Sequence, residues 1–417
     1  MQVCNPAAPR YPHCLALVLR DWGRDGRTMA IEALREARWL HSGRVRAYAL
    51  LWGFACAALL VSAYLEATGP TGSDFLAFWG AGQVSAAGNP ASAYDLAVQQ
   101  RVQTATGSLG WFAFVNPPPF LFAATPFGTL PYPLAWLAWV AITFAAWAWA
   151  SIRAFPRLWP LVLVYPGALI AATHAQTGLL TGALLVFAAT QLDRRPLASG
   201  AAIGALVIKP HLAVLLPFWL AAGRRWRVFV VAGASVVGLV LASWAVFETR
   251  TMLAYPDSWQ ASAALMEVTR ADFFLRMATL YSQLRLIAGE EVAVVAGVAL
   301  ALAMVGCALL AWRRFAGDAQ GAAAAVLAAT ALAPPYLFNY DLPFLIVPTL
   351  WLVREGLACG FRPYEKLALV LLYFAPFATR ALALPLELNL MPLASAVLLA
   401  LVWSRGPASR SGEPERA

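Results

Sequence analysis

The feature that most constrains this chain is its alternation of long apolar runs with short clusters of arginine. Apolar runs fall near residues 46–66, 117–130, 132–152, 158–172, 177–192, 196–208, 210–222, 227–247, 291–312, 319–335, 338–354, 364–383 and 385–403. A bilayer core takes about 20 apolar residues of helix, and several runs reach that length. Between and after them stand DRR (193–195), GRRWR (223–227), WRRF (312–315), Arg354 and a tail from Arg405 to Arg416. Such clusters stay on the cytoplasmic side of membrane spans. The expected fold class is therefore all-α, a polytopic transmembrane helical bundle. With 61% hydrophobic and 12% charged residues, the chain has too little charge to cover the surfaces of soluble cores. That excludes a soluble enzyme, a disordered chain and a domain on a single anchor. The strands of a membrane β-barrel would alternate apolar and polar residues, and these unbroken runs do not. The net charge of +9 follows from topology and is no sign of a nucleic-acid partner.

Residues 1–45 form an Arg-rich segment, with Arg20, Arg24, Arg27, Arg35, Arg38 and Arg44, expected to remain cytoplasmic. Residues 29–40 are expected to form a short amphipathic helix at the inner surface. The first 28 read as poorly ordered and unlike a cleaved signal peptide. The membrane domain is then 46–403, followed by a cytoplasmic tail, 404–417. Two cytoplasmic termini require an even number of crossings. One of the runs 117–130 and 158–172 must therefore fail to cross fully, leaving about twelve. The outward stretches are 67–113 and 248–290. The first is expected to lay helices on the outer surface near 75–82 and 91–100. The second carries Arg250, Arg270, Arg276 and Arg285 against the usual charge bias. This pattern points to an anionic ligand such as a phosphate, or to a solvated loop with internal ion pairs.

Lys209, one of two lysines, lies between two runs of roughly 13 residues, or roughly 20 Å of helix each. The far ends of both runs are cytoplasmic, so the turn Lys209-Pro210-His211 is expected deep in the membrane or near its outer edge. A cation there needs a cavity or a partner. Irregular backbone there must line protein or water. Lys209 is thus the strongest single functional signal, set against a lysine that snorkels to the interface. Asp74, in GSDFLAFWGAG (72–82), suits a general base at a membrane boundary and equally a helix N-cap. Tyr94-Asp95 reads as a turn or cap. His174 and Gln176, in THAQTG (173–178), are placed to bind a phosphate or hydroxyl, or to cap a helix. Asp341, in PPYLFNYDLPF (334–344), is placed to orient Lys209 or Arg276, or to cap. The cysteines form no CxxC pair, and HExxH and P-loop motifs are missing, so no metal or cofactor is expected.

Five features then occur in a fixed order. Asp74 follows the first span in SDFLAFWGAG. Gly88, Pro90, Tyr94 and Asp95 form a G-x-P-x-x-x-Tyr-Asp stretch. NPPPFLFAATPFGTLP (116–131) begins the next run, and HAQTG (174–178) precedes another. RRPLASGAAIGALVIKPHLAVLLPFWLAAGRRWR (194–227) joins two arginine turns through Lys209-Pro210. Over roughly residues 46–355 this order resembles the bacterial polytopic glycosyltransferases of family 87, in the GT-C superfamily, which include polyprenol-phosphate-mannose-dependent α-1,2-mannosyltransferases. The resemblance implies a GT-C bundle in a bacterial inner membrane. It implies transfer of a hexose, mannose being the leading expectation, from a polyprenyl-phosphate donor to a lipid or glycan acceptor at the outer face, with inversion. By that resemblance Asp74 is the base, and Lys209, His211, Arg270 and Arg276 meet the donor phosphate. Tyr94, Asp95, His174, Gln176 and Asp341 contact substrates, and no metal is needed. HAQTG departs from the family's Gly-Gln-x-Asn order, and Asn339-Tyr340-Asp341 stands where some members carry a histidine. The competing reading is a transporter or flippase of lipid-linked sugars, which would use the same arginines and need no base.

Overall fold

The structure is a computed structural model that describes residues 31–406 except 269; of residues 260–271 it describes no side chains. Residues 1–30 and 407–417, and the expectations that fall on them, lie outside the described residues. Of the helix expected at 29–40, residues 31–36 are helical. Every regular element among the described residues is a helix. The closest approach to a strand is an isolated bridge between Met277 and Phe338.

Six helices are long and apolar enough to cross a membrane: Ser42–Ala67, Tyr132–Ala154, Trp226–Trp259, Glu290–Arg314, Asn339–Cys359 and Glu365–Ala383. Shorter apolar helices run beside them at Gly178–Thr190, Pro196–Ile208, Pro210–Ala222, Ala319–Thr330 and Met391–Ser404. A further run, 159–173, is broken where Pro166 starts a second helical piece. Proline has no N–H to continue the ladder, which explains the break.

Polar contacts define two ends of the bundle. At one, Arg225 pairs with Asp193, and Arg405 with Glu365. There too Arg354 reaches Asp318, and Arg314 donates to the Trp403 carbonyl. At the other, Gln176 meets Asp74, Lys209 meets Thr177 and Asp341, and Asn339 meets Thr379. Among the described residues the chain passes between these ends twelve times, and 159–173 is one of the passages. Residues 117–130 do not pass. They form a 3-10 turn, Pro118–Phe120, and the helix Leu121–Gly128, only roughly 12 Å long. That helix lies backbone to backbone on the helix Phe75–Ala86, because Gly82 and Gly128 have no Cβ to hold the two apart.

Burial follows the same division. The long helices expose Leu50, Leu51, Phe54, Val61, Val230, Val295 and Leu302, side chains suited to hydrocarbon and poorly suited to water. The centre is built on the alanine-rich helix Ala319–Thr330, whose residues from Gly321 onward are all buried. Small side chains let neighbouring backbones approach closely.

Helix length also shapes the second end. Gln320 donates to the Ala154 carbonyl, so Ala319–Thr330 and Tyr132–Ala154 begin level at the arginine-rich end. The first is roughly 18 Å long and the second roughly 35 Å. The short helix therefore ends part of the way along the long one, and residues 331–338 carry the chain on to the turn that holds Asn339 and Asp341. At this end the expected surface helix 91–100 is two pieces, Pro90–Tyr94 and Leu96–Thr104, with Asp95 between them. The helix Trp226–Val268 breaks at Glu248, where φ is 66°, which marks the start of the second polar stretch.

Candidate active site

At the second end a polar layer, the floor of the candidate site, gathers side chains from five separate parts of the chain. Gly72 takes φ 71°, a left-handed conformation open to glycine, and turns the chain out of the first span. Ser73 then hydrogen bonds the Tyr132 hydroxyl at 3.0 Å. Asp74 stands at the N-cap position of Phe75–Ala86, but its side chain makes no cap hydrogen bond. Instead Oδ2 accepts from Gln176 Nε2 at 2.9 Å. Oδ1 has no hydrogen bond among the described residues, and the side chain is partly exposed. The cap reading of Asp74 is not the one its geometry uses.

The turn 174–177 presents Gln176 and Thr177. His174 shares a hydrogen bond between Nδ1 and the Ile170 carbonyl at 2.9 Å. Nδ1 carries the proton in that arrangement, because a carbonyl oxygen can only accept. Burial pushes the His174 pKa below the usual imidazole range against the opposing field of Asp74, so the ring is neutral. Ala175 holds φ 46°, which costs an L-residue roughly 1–2 kcal/mol. This strain lies at the turn that aims Gln176 at Asp74.

Thr177 Oγ1 accepts from Lys209 Nζ at 3.1 Å. Nζ also donates to Asp341 Oδ1 and lies 5.4 Å from the Tyr340 ring centre. Asp341 Oδ2 accepts from the Phe338 N–H at 3.2 Å, so this carboxylate both caps its turn and holds the lysine. The Asp341 side chain is fully buried and that of Lys209 is 11% exposed. Lys209 is therefore not snorkelling, and the charge expected to face a phosphate is already balanced by Asp341. His211 packs edge-on to Tyr336 at 5.7 Å, and its Nε2 is closed from solvent without a hydrogen-bond partner.

Gly178 keys the assembly together. A methyl at this position would overlap the Tyr340 carbonyl oxygen. Gly178→Ala should push the 340–341 turn off the tip of Gly178–Gln191 and cost about 1–3 kcal/mol. Thermal unfolding of the purified protein measures this, and an unchanged midpoint would show that the contact is slack.

The remaining expected residues are placed as follows. Tyr94 is buried, and its hydroxyl donates to the Asn116 carbonyl at 2.9 Å. Asp95 caps Leu96–Thr104 by accepting from the N–H groups of Ala97 and Val98. Both have structural partners and are not joined to the Asp74–Lys209 network. Arg276 pairs with Asp272 at 2.7 Å. The Arg270 side chain lies outside the described residues. Arg285 pairs with Glu290 at 3.1 Å. Among the described residues no three His, Cys, Asp or Glu side chains gather as a metal site.

The sequence reading missed Thr177, Tyr336, Tyr340 and Arg380. Arg380 was visible in principle, since it sits at the far end of Glu365–Ala383 from the arginine-rich end of the bundle, as Arg276 does. Tyr336 and Tyr340 carried no signal beyond being aromatic. Burial, with the fields of Asp341 and Asp74, raises the Tyr336 pKa, so its hydroxyl stays a donor.

No curated protein and no solved structure matches the chain. The sequence profile of glycosyltransferase family 87 does match it, over residues 114–337. That stretch is more than half of the 417 residues and contains Gln176, Thr177, Lys209, His211, Arg276 and Tyr336. The chain belongs to glycosyltransferase family 87 and is a polytopic, helical glycosyltransferase.

Proposed function

We propose that the protein moves a hexose, with mannose as the leading choice, from a polyprenyl-phosphate donor to a hydroxyl of a lipid or glycan acceptor. In this reading the end that carries Asp74 and Lys209 faces the outer side of a bacterial inner membrane, and the arginine-rich end and both termini are cytoplasmic. The observation that carries it is Asp74. Its carboxylate makes no cap hydrogen bond, is held through one oxygen by Gln176 and keeps the other without a hydrogen bond among the described residues, and Thr177, the next residue after Gln176, holds the Lys209–Asp341 pair. Asp74 takes the proton of the acceptor hydroxyl as its oxygen attacks the anomeric carbon. The bond from that carbon to the phosphate oxygen breaks with inversion. The products are the glycoside and polyprenyl phosphate, and the proton passes from Asp74 to solvent.

A lipid donor is supported by a second feature. An apolar cavity of about 430 Å³ lies between 273–281, 294–301 and 332–336. Val294 and Val298 on its rim are exposed on the lipid-facing side of the bundle. Tyr336 lies in its lining and touches His211. An isoprenoid chain entering sideways would reach the polar floor along this wall.

The test uses the full chain in lipid nanodiscs. Polyprenyl-phosphate sugars and nucleotide sugars are offered separately with a radiolabelled hexose. Transfer with release of polyprenyl phosphate is expected from the lipid donors alone. Transfer only from a nucleotide sugar would overturn the donor. Movement of lipid-linked sugar across vesicles without transfer would favour the flippase.

A further inference from the structure

The reaction as drawn makes a phosphate and leaves its charge unmet. The donor phosphodiester carries one negative charge, and the departing monoester gains a second as the glycosidic bond breaks. The cations on the floor are largely spent, Lys209 on Asp341 and Arg276 on Asp272. Arg380 differs. It is partly buried, and among the described residues it has no hydrogen bond or ion pair.

Its position is fixed by the backbone around it. Thr379 Oγ1 accepts from Asn339 Nδ2 at 2.8 Å, as does the Pro376 carbonyl. The last turn of Glu365–Ala383 is thereby latched to the turn at 338–341. On the other flank, Met277 bridges to Phe338, and the Ala278 N–H donates to the Leu337 carbonyl at 2.7 Å. Arg276 and Arg380 thus flank one turn, whose Tyr340 ring meets Lys209 and, at 5.8 Å, His174. Arg380 lies within electrostatic reach of Asp74, Asp272, Arg276 and Tyr340. Asp272 and Asp74 act on this half-buried guanidinium only through their fields, so its N–H groups are left to bind an anion beside a second arginine.

We propose that Arg380 is the main guanidinium for the phosphate of the lipid donor, with the remaining N–H groups of Arg276 beside it. The inference rests on the proposed reaction and deepens it. Lys209 then shapes the floor, and Arg380 meets the charge. The planar guanidinium offers two parallel donors to phosphate oxygens. Because the phosphate's charge grows as the bond breaks, the same contact strengthens toward the transition state.

The probe is polyprenyl monophosphate, which binds without chemistry, with the uncharged polyprenol as its control. Both are titrated into the full chain in nanodiscs, with thermal midpoints recorded for each variant. Arg380→Gln should weaken monophosphate binding roughly 10- to 100-fold and leave polyprenol binding unchanged. Arg380→Lys should recover part of the loss. Monophosphate binding equal to wild type in a stable Arg380→Gln protein would overturn the proposal. So would a parallel loss of polyprenol binding and thermal stability, which marks a structural arginine. If donor binding holds while the KM of a phosphate-bearing acceptor rises, the site serves the acceptor and the donor assignment fails. If wild type binds no polyprenyl monophosphate and transfers no sugar, the fault lies with the proposed reaction, not with Arg380 alone.

Discussion

Asp74→Asn is expected to lower the turnover of sugar transfer by roughly 10²- to 10⁴-fold, with donor binding and the folded state intact. The substitution keeps the shape and one carbonyl-type oxygen, so the Gln176 amide can still donate as it does now at 2.9 Å. It removes the negative charge and the lone pair that would take the acceptor's proton. The structure separates this effect from its main rival. Had Asp74 served as the N-cap of Phe75–Ala86, the loss would appear in stability, at about 0.5–2 kcal/mol for an ordinary cap replacement. No side-chain cap hydrogen bond exists to be lost. Turnover, melting temperature and polyprenyl monophosphate affinity, measured on one preparation, check the claim. Turnover within a few-fold of wild type would remove Asp74 as the base.

The class of fold was legible because two independent signals agreed. The apolar runs supplied the helices, and the arginine clusters marked the helix ends that share one end of the bundle. Parity of the crossings even isolated the single uncertain pair of runs. Deciding between them needed packing. Residues 117–130 are as apolar as a span, and only the close approach of Gly82 and Gly128 shows that they lie against Phe75–Ala86. The broken helix at 159–173 hid a true passage behind Pro166.

Within the site, legibility followed cost. Lys209 stood out because a buried cation is expensive, and the expense predicted a partner. Asp341 was among the candidates for that partner, and it is the residue that pairs. Tyr94 and Asp95 stood out by motif alone, and the structure uses them to hold Pro90–Tyr94 and Leu96–Thr104 in place. Thr177 and Tyr340 were silent, since a threonine before a span and a tyrosine in an aromatic stretch are common. Ala175 shows a further limit. Its φ of 46° is one that glycine would adopt freely and that alanine adopts at a cost in strain, and nothing in the sequence marks it.

The Lys209–Asp341 pair separates architecture from chemistry more sharply than any other. Breaking a buried pair by removing one partner typically costs about 3–5 kcal/mol, since the other charge is left unpaired in a poor solvent for it. Lys209→Met and Asp341→Asn should each lose stability on that scale. Lys209→Met strands the carboxylate, whereas Asp341→Asn leaves a neutral amide and an unpaired ammonium. Removing both at once should restore much of the lost stability, because replacing a buried pair by groups without net charge is often neutral. Activity is expected to behave differently. Nζ has three donors, and Thr177 and Asp341 occupy two, which leaves one N–H without a hydrogen bond among the described residues. If that donor contacts the sugar, the double variant will be stable and still slow, with kcat/KM well below wild type. If the pair only closes the floor, stability and activity will return together. A double-mutant cycle on melting temperature and turnover reads both quantities. A double variant as unstable as the worse single would overturn the pairing itself as the source of the effect.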